Sequence, residues 1–253
     1  MNQYNGCKNT FYITNYEEKY DTEISAINIC KNEVDGFIMV KQNPLEFHMR
    51  NRDGSIASMC GNGIRCFIHY CYENNIIKSK INIVKTLNGN YLTEIINTNP
   101  FLVKVRMVGP TFKYLDGKEY FDYPLLINNM HLRINLINTG VWHVVIITNN
   151  DNEFNEYINN IESIFNCDFF IKQHNINIVN LQNNNIKLKT YEYGVNDFTK
   201  ACGTGSTATF IILKKLGLIT SNEATIQQDG GNLIIGIDNE GYYMIGPSEK
   251  TKG

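Results

Sequence analysis

Ser58-Met59-Cys60-Gly61-Asn62-Gly63-Ile64-Arg65-Cys66 and Lys200-Ala201-Cys202-Gly203-Thr204-Gly205-Ser206-Thr207 share one construction, and their key cysteines lie 142 residues apart. Each places Cys-Gly-x-Gly directly before an apolar helix pattern. After the first, Ile64, Phe67, Ile68 and Cys71 fall at i, i+3, i+4 and i+7, which predicts a helix with one apolar face. After the second, Ala208 to Leu216 is apolar nearly all round, which predicts a helix buried on all sides, and Gly217 is a natural stop for it. A strand pattern precedes each motif. A repeat of strand, loop, Cys-Gly-x-Gly and helix across about half the chain predicts two similar domains facing each other, each bringing one cysteine to a cleft.

Outward from the first motif, the N-terminal third reads as strand, helix, strand, strand, helix. Phe11-Tyr12-Ile13 is β-prone, and Asp21 is placed to cap a short helix carrying Ile24, Ile27 and Cys30. Phe37 to Val40 and Leu45 to Met49 read as strands, followed by the turn sequence Asn51-Arg52-Asp53-Gly54. The middle is strand-rich, with Ile81 to Lys85, Tyr91 to Ile96, Leu102 to Val108 and Val144 to Thr148. Ile186 to Tyr193 alternates apolar and polar residues, as a half-buried strand does.

Composition narrows the classes. The 253 residues carry 23 basic and 25 acidic side chains, with 43% hydrophobic residues, which fits a globular chain able to build a core. Near-neutral charge and the lack of long basic runs argue against nucleic acid as a partner. No apolar stretch reaches membrane-span length. The polar start, Met1-Asn2-Gln3-Tyr4-Asn5, does not read as a signal peptide, so the expectation is a soluble cytoplasmic protein. Seven cysteines without a secretion signal argue against a disulfide framework. Cys66, His69 and Cys71 lack the paired arms of a structural zinc site and lie in a helix pattern, so no metal is expected.

A cysteine at a helix N-terminus feels the positive end of the helix dipole, which favours thiolate. The glycines free backbone N–H groups to hold an anion. One such unit could bind a phosphate or hold a nucleophile, or could be merely a turn before a helix. Two together could hold a carboxylate between two helix N-termini, with a sulfur on either side. That arrangement suits inversion of an amino-acid α-carbon: one cysteine removes a proton, the other delivers one, and the helix ends stabilise the developing charge. Such chemistry needs neither metal nor pyridoxal cofactor. A phosphate- or nucleotide-binding module is the non-enzymatic alternative, although neither glycine loop is followed by Gly-Lys-Ser/Thr.

These residues resemble the cofactor-independent diaminopimelate epimerases and their relatives, over nearly the whole chain. Ser58 to Cys66 is similar to the family's first cysteine motif and Ala201 to Ser206 to its second. Asn5 to Phe11, Val34-Asp35-Gly36, Asn51 to Ser55, Gly230 to Leu233 and Met244 to Pro247 resemble further family segments, in the family's order. The resemblance implies an α+β fold of two pseudosymmetric domains, each a mostly antiparallel, barrel-like sheet wrapped around a central helix. Residues 1–112 with 246–253 would form the domain carrying Cys60, and 113–245 the domain carrying Cys202. It implies Cys60 and Cys202 as the acid/base pair, with Glu192 and His143 beside the reacting centre. Backbone N–H groups of Gly61, Asn62, Gly203 and Thr204 would hold the reacting carboxylate, and Asn9, Asn51 and Asn175 match the family's substrate-binding asparagines. The partner is then a small amino acid. Family members are often dimers, so a homodimer is the expectation.

Two departures bear on the substrate. The family's Glu-Arg-Gly triplet is here Glu192-Tyr193-Gly194, and its Gly-Asn-Pro-His segment is Gly140-Val141-Trp142-His143. In diaminopimelate epimerases the replaced residues bind the substrate's far carboxylate. Tyrosine cannot supply the bidentate, charged contact of arginine, a difference on the order of 2–5 kcal/mol at a buried site. The expectation is a racemase for an amino acid without a distal carboxylate, with Tyr193 and Trp142 stacking on an aromatic or heteroaromatic side chain. Histidine leads. An ordinary diaminopimelate epimerase, in which these positions are tolerated variation, is the alternative.

Overall fold

The computed structural model describes residues 1–31 and 33–252. Its chain divides into two compact units: Met1–Arg106 with Met244–Gly253, and Met107–Tyr243.

In the first unit, β1 (Asn2–Gly6) pairs antiparallel with both β2 (Asn9–Asn15) and the C-terminal strand Glu249–Lys252. α1 (Glu23–Cys30) carries the chain over to β3 (Gly36–Lys41), which lies parallel to β2. β4 (Glu46–Asn51) turns back antiparallel on β3, and the two-residue β5 (Ile56–Ala57) pairs with its end. α2 (Gly61–Glu73) follows. β6 (Ile81–Thr86) then returns parallel to β4, at Glu46 against Lys85. β7 (Gly89–Thr98) and β8 (Phe101–Arg106) complete a meander.

The second unit repeats that order. β9 (Tyr123–Ile127), β10 (Met130–Asn138) and β11 (Trp142–Thr148) are successive antiparallel strands. α3 (Asp151–Asn159) and α4 (Ile161–Phe165) cross over to β12 (His174–Gln182), parallel to β11. β13 (Asn185–Glu192) turns back, and the short β14 (Asp197–Thr199) pairs with its end. α5 (Gly203–Lys215) is next, then β15 (Glu223–Gln228) parallel to β13 and β16 (Gly231–Asp238) antiparallel to β15. β17 (Gly241–Pro247) and β18 (Glu249–Lys252) close the chain. The helix-bearing crossovers are what parallel neighbours require, and the hairpins supply the antiparallel majority.

Each unit wraps its sheet around one helix and covers the outer face with another layer. α2 packs on β1, β2, β3 and β8, and α5 on β10, β11, β12, β15 and β16. Outside β2 and β3, Cys30, Val34, Phe37 and Met39 form a small core with Tyr12, Tyr16 and Tyr20. Outside β11 and β12, Val144, Ile146, Ile176 and Ile178 pack with Phe154, Ile161 and Ile164 of α3 and α4.

Two helix expectations change. α2 is buried from Asn62 through Cys71, including Arg65 and His69, so it lacks the single apolar face that its spacing suggests. Arg65 is accommodated because its guanidinium donates to the Gly61 and Pro247 carbonyls, each at 3.2 Å, and to Cys7 Sγ at 3.4 Å. α1 is capped by Thr22, whose hydroxyl accepts from Ser25 N–H at 3.1 Å, because the Asp21 carboxylate is taken by Arg50 Nε at 2.8 Å. Its buried residues are Ala26 and Cys30, while Ile24 and Ile27 are exposed.

Candidate active site

Both motif cysteines are N-caps with extended backbone, Cys60 at φ −143° and Cys202 at φ −123°. In each case the sulfur stands in for the usual capping oxygen. Gly63 N–H donates to Cys60 Sγ and Gly205 N–H to Cys202 Sγ, both at 3.3 Å. The second glycine of each motif is also a close approach. A Cβ on Gly63 would lie 3.2 Å from Phe47 and 3.3 Å from Ile38, and one on Gly205 only 2.4 Å from Asn177 Oδ1. Cys-Gly-x-Gly is therefore a way to seat a cysteine-capped helix directly on a sheet.

In the first unit, the Asn62 side-chain amide donates to Asn9 Oδ1, joining the start of β2 to the first turn of α2. Cys60 is partly exposed beside them, with Gly61 as the first helical residue. Asn51 lies at the end of β4, where its amide donates to Ser55 Oγ at 3.0 Å and helps close the turn to β5.

The second unit gathers more of its predicted residues. Register places His143 opposite Asn175, Val145 opposite Asn177, Asn177 opposite Thr190 and Glu192 opposite Asp197. Alternation along the strands puts His143, Asn175, Asn177, Thr190 and Glu192 on the face that receives α5. Asn177 Nδ2–H donates to His143 Nδ1 at 2.9 Å, while Thr190 Oγ1–H donates to Asn177 Oδ1 at 3.0 Å. These bonds leave the His143 proton on Nε2, a buried atom with no hydrogen-bond partner among the described residues. Burial, then the neighbouring His174, lower the His143 pKa to about 3, so the ring is neutral.

Cys202 is 7% exposed, with its sulfur 3.4 Å from Thr204 Oγ1. The dipole argument predicts a lowered thiol pKa. Here burial, then the adjacent Glu192 carboxylate, push Cys202 well above its ordinary value, outweighing the Thr204 and Gly205 bonds. The Glu192 carboxyl is itself raised by burial, opposed by bonds from the Cys202 thiol and from Thr199 Oγ1, the latter at 2.8 Å. Cys202 and Glu192 are thus a coupled pair in which the thiol holds its proton.

Of the residues read as distal contacts, two are exposed and one faces the outer core. Val141 and Tyr193 are 46% and 48% exposed. Asn175 Oδ1 accepts the Tyr193 backbone N–H at 2.9 Å, which ties the Tyr193 turn to β12. Trp142 alternates with His143 and points away from α5, its ring edge-on to Tyr114 at 5.0 Å within the outer core. Strand alternation thereby removes Trp142 as a stacking partner for anything held beside His143. Sequence reasoning passed over Asn177, Thr190, Thr199 and Gln228. Thr190 carries a faint signal, as a polar residue where the alternation of Ile186 and Leu188 calls for an apolar one, and Asn177 stands between the apolar Ile176 and Ile178.

The family model for diaminopimelate epimerase matches residues 8–113 and 135–251. The chain is 33% identical over 274 residues to a diaminopimelate epimerase of Halothermothrix orenii, covering 97% of this chain and 93% of that one. It is 37% identical over 209 residues to that of Methanocella arvoryzae, covering 80% and 73%. The fold is similar to a phenazine biosynthesis protein of the PhzF family from Bacillus anthracis (TM-score 0.73, 15% identity, 99% and 96% of the two chains). It is also similar to a hydroxyproline epimerase from Agrobacterium vitis (TM-score 0.71, 10% identity, 99% and 88%). With two repeated units, each seating a cysteine-capped helix on its sheet, the chain belongs to the diaminopimelate epimerase family and is an isomerase of the amino-acid racemase and epimerase class.

Proposed function

We propose that Cys60 and Cys202 are the two acid/base groups of a cofactor-independent racemase, acting on opposite faces of one α-carbon. The observation that carries this reading is the repetition: each unit holds an N-cap cysteine whose sulfur lies 3.3 Å from the N–H of the glycine three residues on. One cysteine acts as thiolate and takes the α-proton. The electron pair of that C–H bond moves into the carboxylate as an enediolate, and the S–H of the other cysteine protonates the opposite face. The first N–H groups of α2 and α5, at Gly61, Asn62, Gly203 and Thr204, lie outside the helical ladder and are suited to bind the carboxylate as charge builds on it. Cys202, held as thiol against Glu192, is the proton donor in the resting enzyme. Glu192 and neutral His143 orient the substrate amine, and Asn9, Asn51 and Asn175 line the remainder.

The substrate is an amino acid without a distal carboxylate, with histidine the first choice. Support comes from the absence of arginine in Glu192-Tyr193-Gly194 and of asparagine at Val141. Stacking by Trp142 is not part of the reading. The names of the relatives favour a second reading, diaminopimelate epimerase itself.

Proton NMR of α-hydrogen exchange in D2O, with reduced enzyme and single L-amino acids plus LL- and meso-diaminopimelate, separates the two. Exchange with histidine and none with diaminopimelate is the expected result, and Tyr193→Arg with Val141→Asn should then raise diaminopimelate turnover. Exchange with diaminopimelate alone makes Tyr193 and Val141 neutral variation. No exchange across the panel returns the paired motifs to anion binding. Cys60→Ser or Cys202→Ser should each cut racemisation, read as formation of the opposite enantiomer, at least ~10³-fold.

A further inference from the structure

We propose that Gln228, the last residue of β15, is a positioning residue for Cys202, holding the backbone of that cysteine from both sides through a closed ring of hydrogen bonds. The inference rests on Cys202 being an acid/base group.

As an extended N-cap, Cys202 has a backbone N–H outside the helical ladder, and its burial demands an acceptor. Gln228 Oε1 accepts that N–H at 2.7 Å. The other end of the same amide, Nε2–H, donates to Ser206 Oγ at 3.0 Å, and Ser206 Oγ–H donates to the Cys202 carbonyl at 2.8 Å. The Cys202 N–H needs an oxygen, and the Ser206 hydroxyl has already given its proton to a carbonyl. Only one orientation of the Gln228 amide meets both needs. Three bonds therefore fix the N–H and the C=O of a single residue. With both peptide planes held, the Cα–Cβ direction is set, and the sulfur stays 3.3 Å from Gly205 N–H and 3.4 Å from Thr204 Oγ1. No contact between Gln228 and the sulfur is needed for this.

Such a ring needs a hydroxyl four residues beyond the cysteine. The residue four beyond Cys202 is Ser206, but four beyond Cys60 is Ile64, which has no hydroxyl to close such a ring. The two cysteines are thus set by different means, and a change at Gln228 should disturb one and spare the other.

Gln228→Met keeps length and shape but removes every bond of the amide. Its test is iodoacetamide alkylation of each cysteine across a pH series, read peptide by peptide by mass spectrometry, which needs no substrate. The pH midpoint for Cys202 should move up, as the sulfur loses its fixed N–H donor, while that for Cys60 stays in place. Exchange of the α-proton of L-histidine or LL-diaminopimelate in D2O should fall about 10–100-fold in kcat, the scale of a misplacement of about 1 Å, with KM within about twofold. Gln228→Glu supplies a second, chemically reversible variant. Its protonated carboxyl can accept from Cys202 and donate to Ser206, so its activity relative to the parent enzyme should recover as pH is lowered through the carboxyl's titration.

Unchanged kcat and an unchanged Cys202 midpoint in Gln228→Met, with Cys202→Ser inactive, would overturn the role of Gln228 and leave the acid/base assignment standing. Equal shifts at Cys60 and Cys202 would make Gln228 a residue of general stability and also overturn it. Full activity in Cys202→Ser would remove the acid/base assignment and this inference together.

Discussion

His143 shows how a single residue ties stability to the site. Its ring is wholly buried and neutral, with a pKa near 3 against an ordinary value of 6.5. Between those two values the unfolded chain binds a proton at this residue that the folded chain refuses. Its contribution to stability is therefore complete above about pH 6.5 and drains away as pH falls toward 3. Burial also lowers the pKa of His69 and His174, which adds to the same acid-side loss. Glu192 has the opposite sign: its raised pKa means the folded chain holds a proton more readily, so its contribution weakens as pH rises past the ordinary carboxylate range. Urea unfolding at pH 7, 6, 5 and 4 should show stability falling in steps, and His143→Gln should flatten the decline between pH 6.5 and 4. An equally steep decline in that variant would mean other groups carry it.

At the scale of the element, the second glycine of each motif decides whether a capped helix can sit on its sheet. Gly205→Ala would force a methyl carbon to 2.4 Å from Asn177 Oδ1 and 3.0 Å from Thr190 Oγ1. Neither oxygen has room to yield, since each is bound into the buried pair that orients His143. Overpacking of this kind costs typically about 1–3 kcal/mol. Chemical denaturation should read a loss of that size, together with lower activity from the displaced asparagine. Gly109→Ala is the control, because a Cβ there meets nothing within 4 Å, and it should be within about 0.5 kcal/mol of neutral. The two variants behaving alike would refute the close-approach argument.

At the scale of the whole molecule, the first unit is discontinuous and the second is one stretch, residues 107–243. The last ten residues belong to the first unit. They supply the strand beside β1, the Pro247 carbonyl for Arg65, and the Ser248 hydroxyl 3.1 Å from His69 Nδ1. Removing residues 244–253 should leave Arg65 a buried cation short of an acceptor and open one edge of β1. Hydrogen–deuterium exchange should then show lost protection over β1, β2 and α2, with β11, β12 and α5 still protected. Uniform loss across both units would mean that they fold as one cooperative body.

What the sequence alone determined was the pattern that repeats locally. Cys-Gly-x-Gly before an apolar run needs only neighbours along the chain, so both central helices and the cysteines that cap them were legible. Strands with clear alternation, such as Ile186 to Tyr193, were legible for the same reason. Polar or short strands such as β1, β5 and β14 carry no such periodicity, because their pairing partners, not their own side chains, make them strands. Tertiary structure alone decided the rest. Trp142 and His143 are adjacent in sequence, yet pleating sends them to opposite faces, one into the outer core and one under α5. Burial beside Glu192 raised the Cys202 thiol against the helix dipole, because desolvation depends on what surrounds a group in space. Gln228 reaches Cys202 across 26 residues, where a strand end meets a helix start that only the folded sheet brings together.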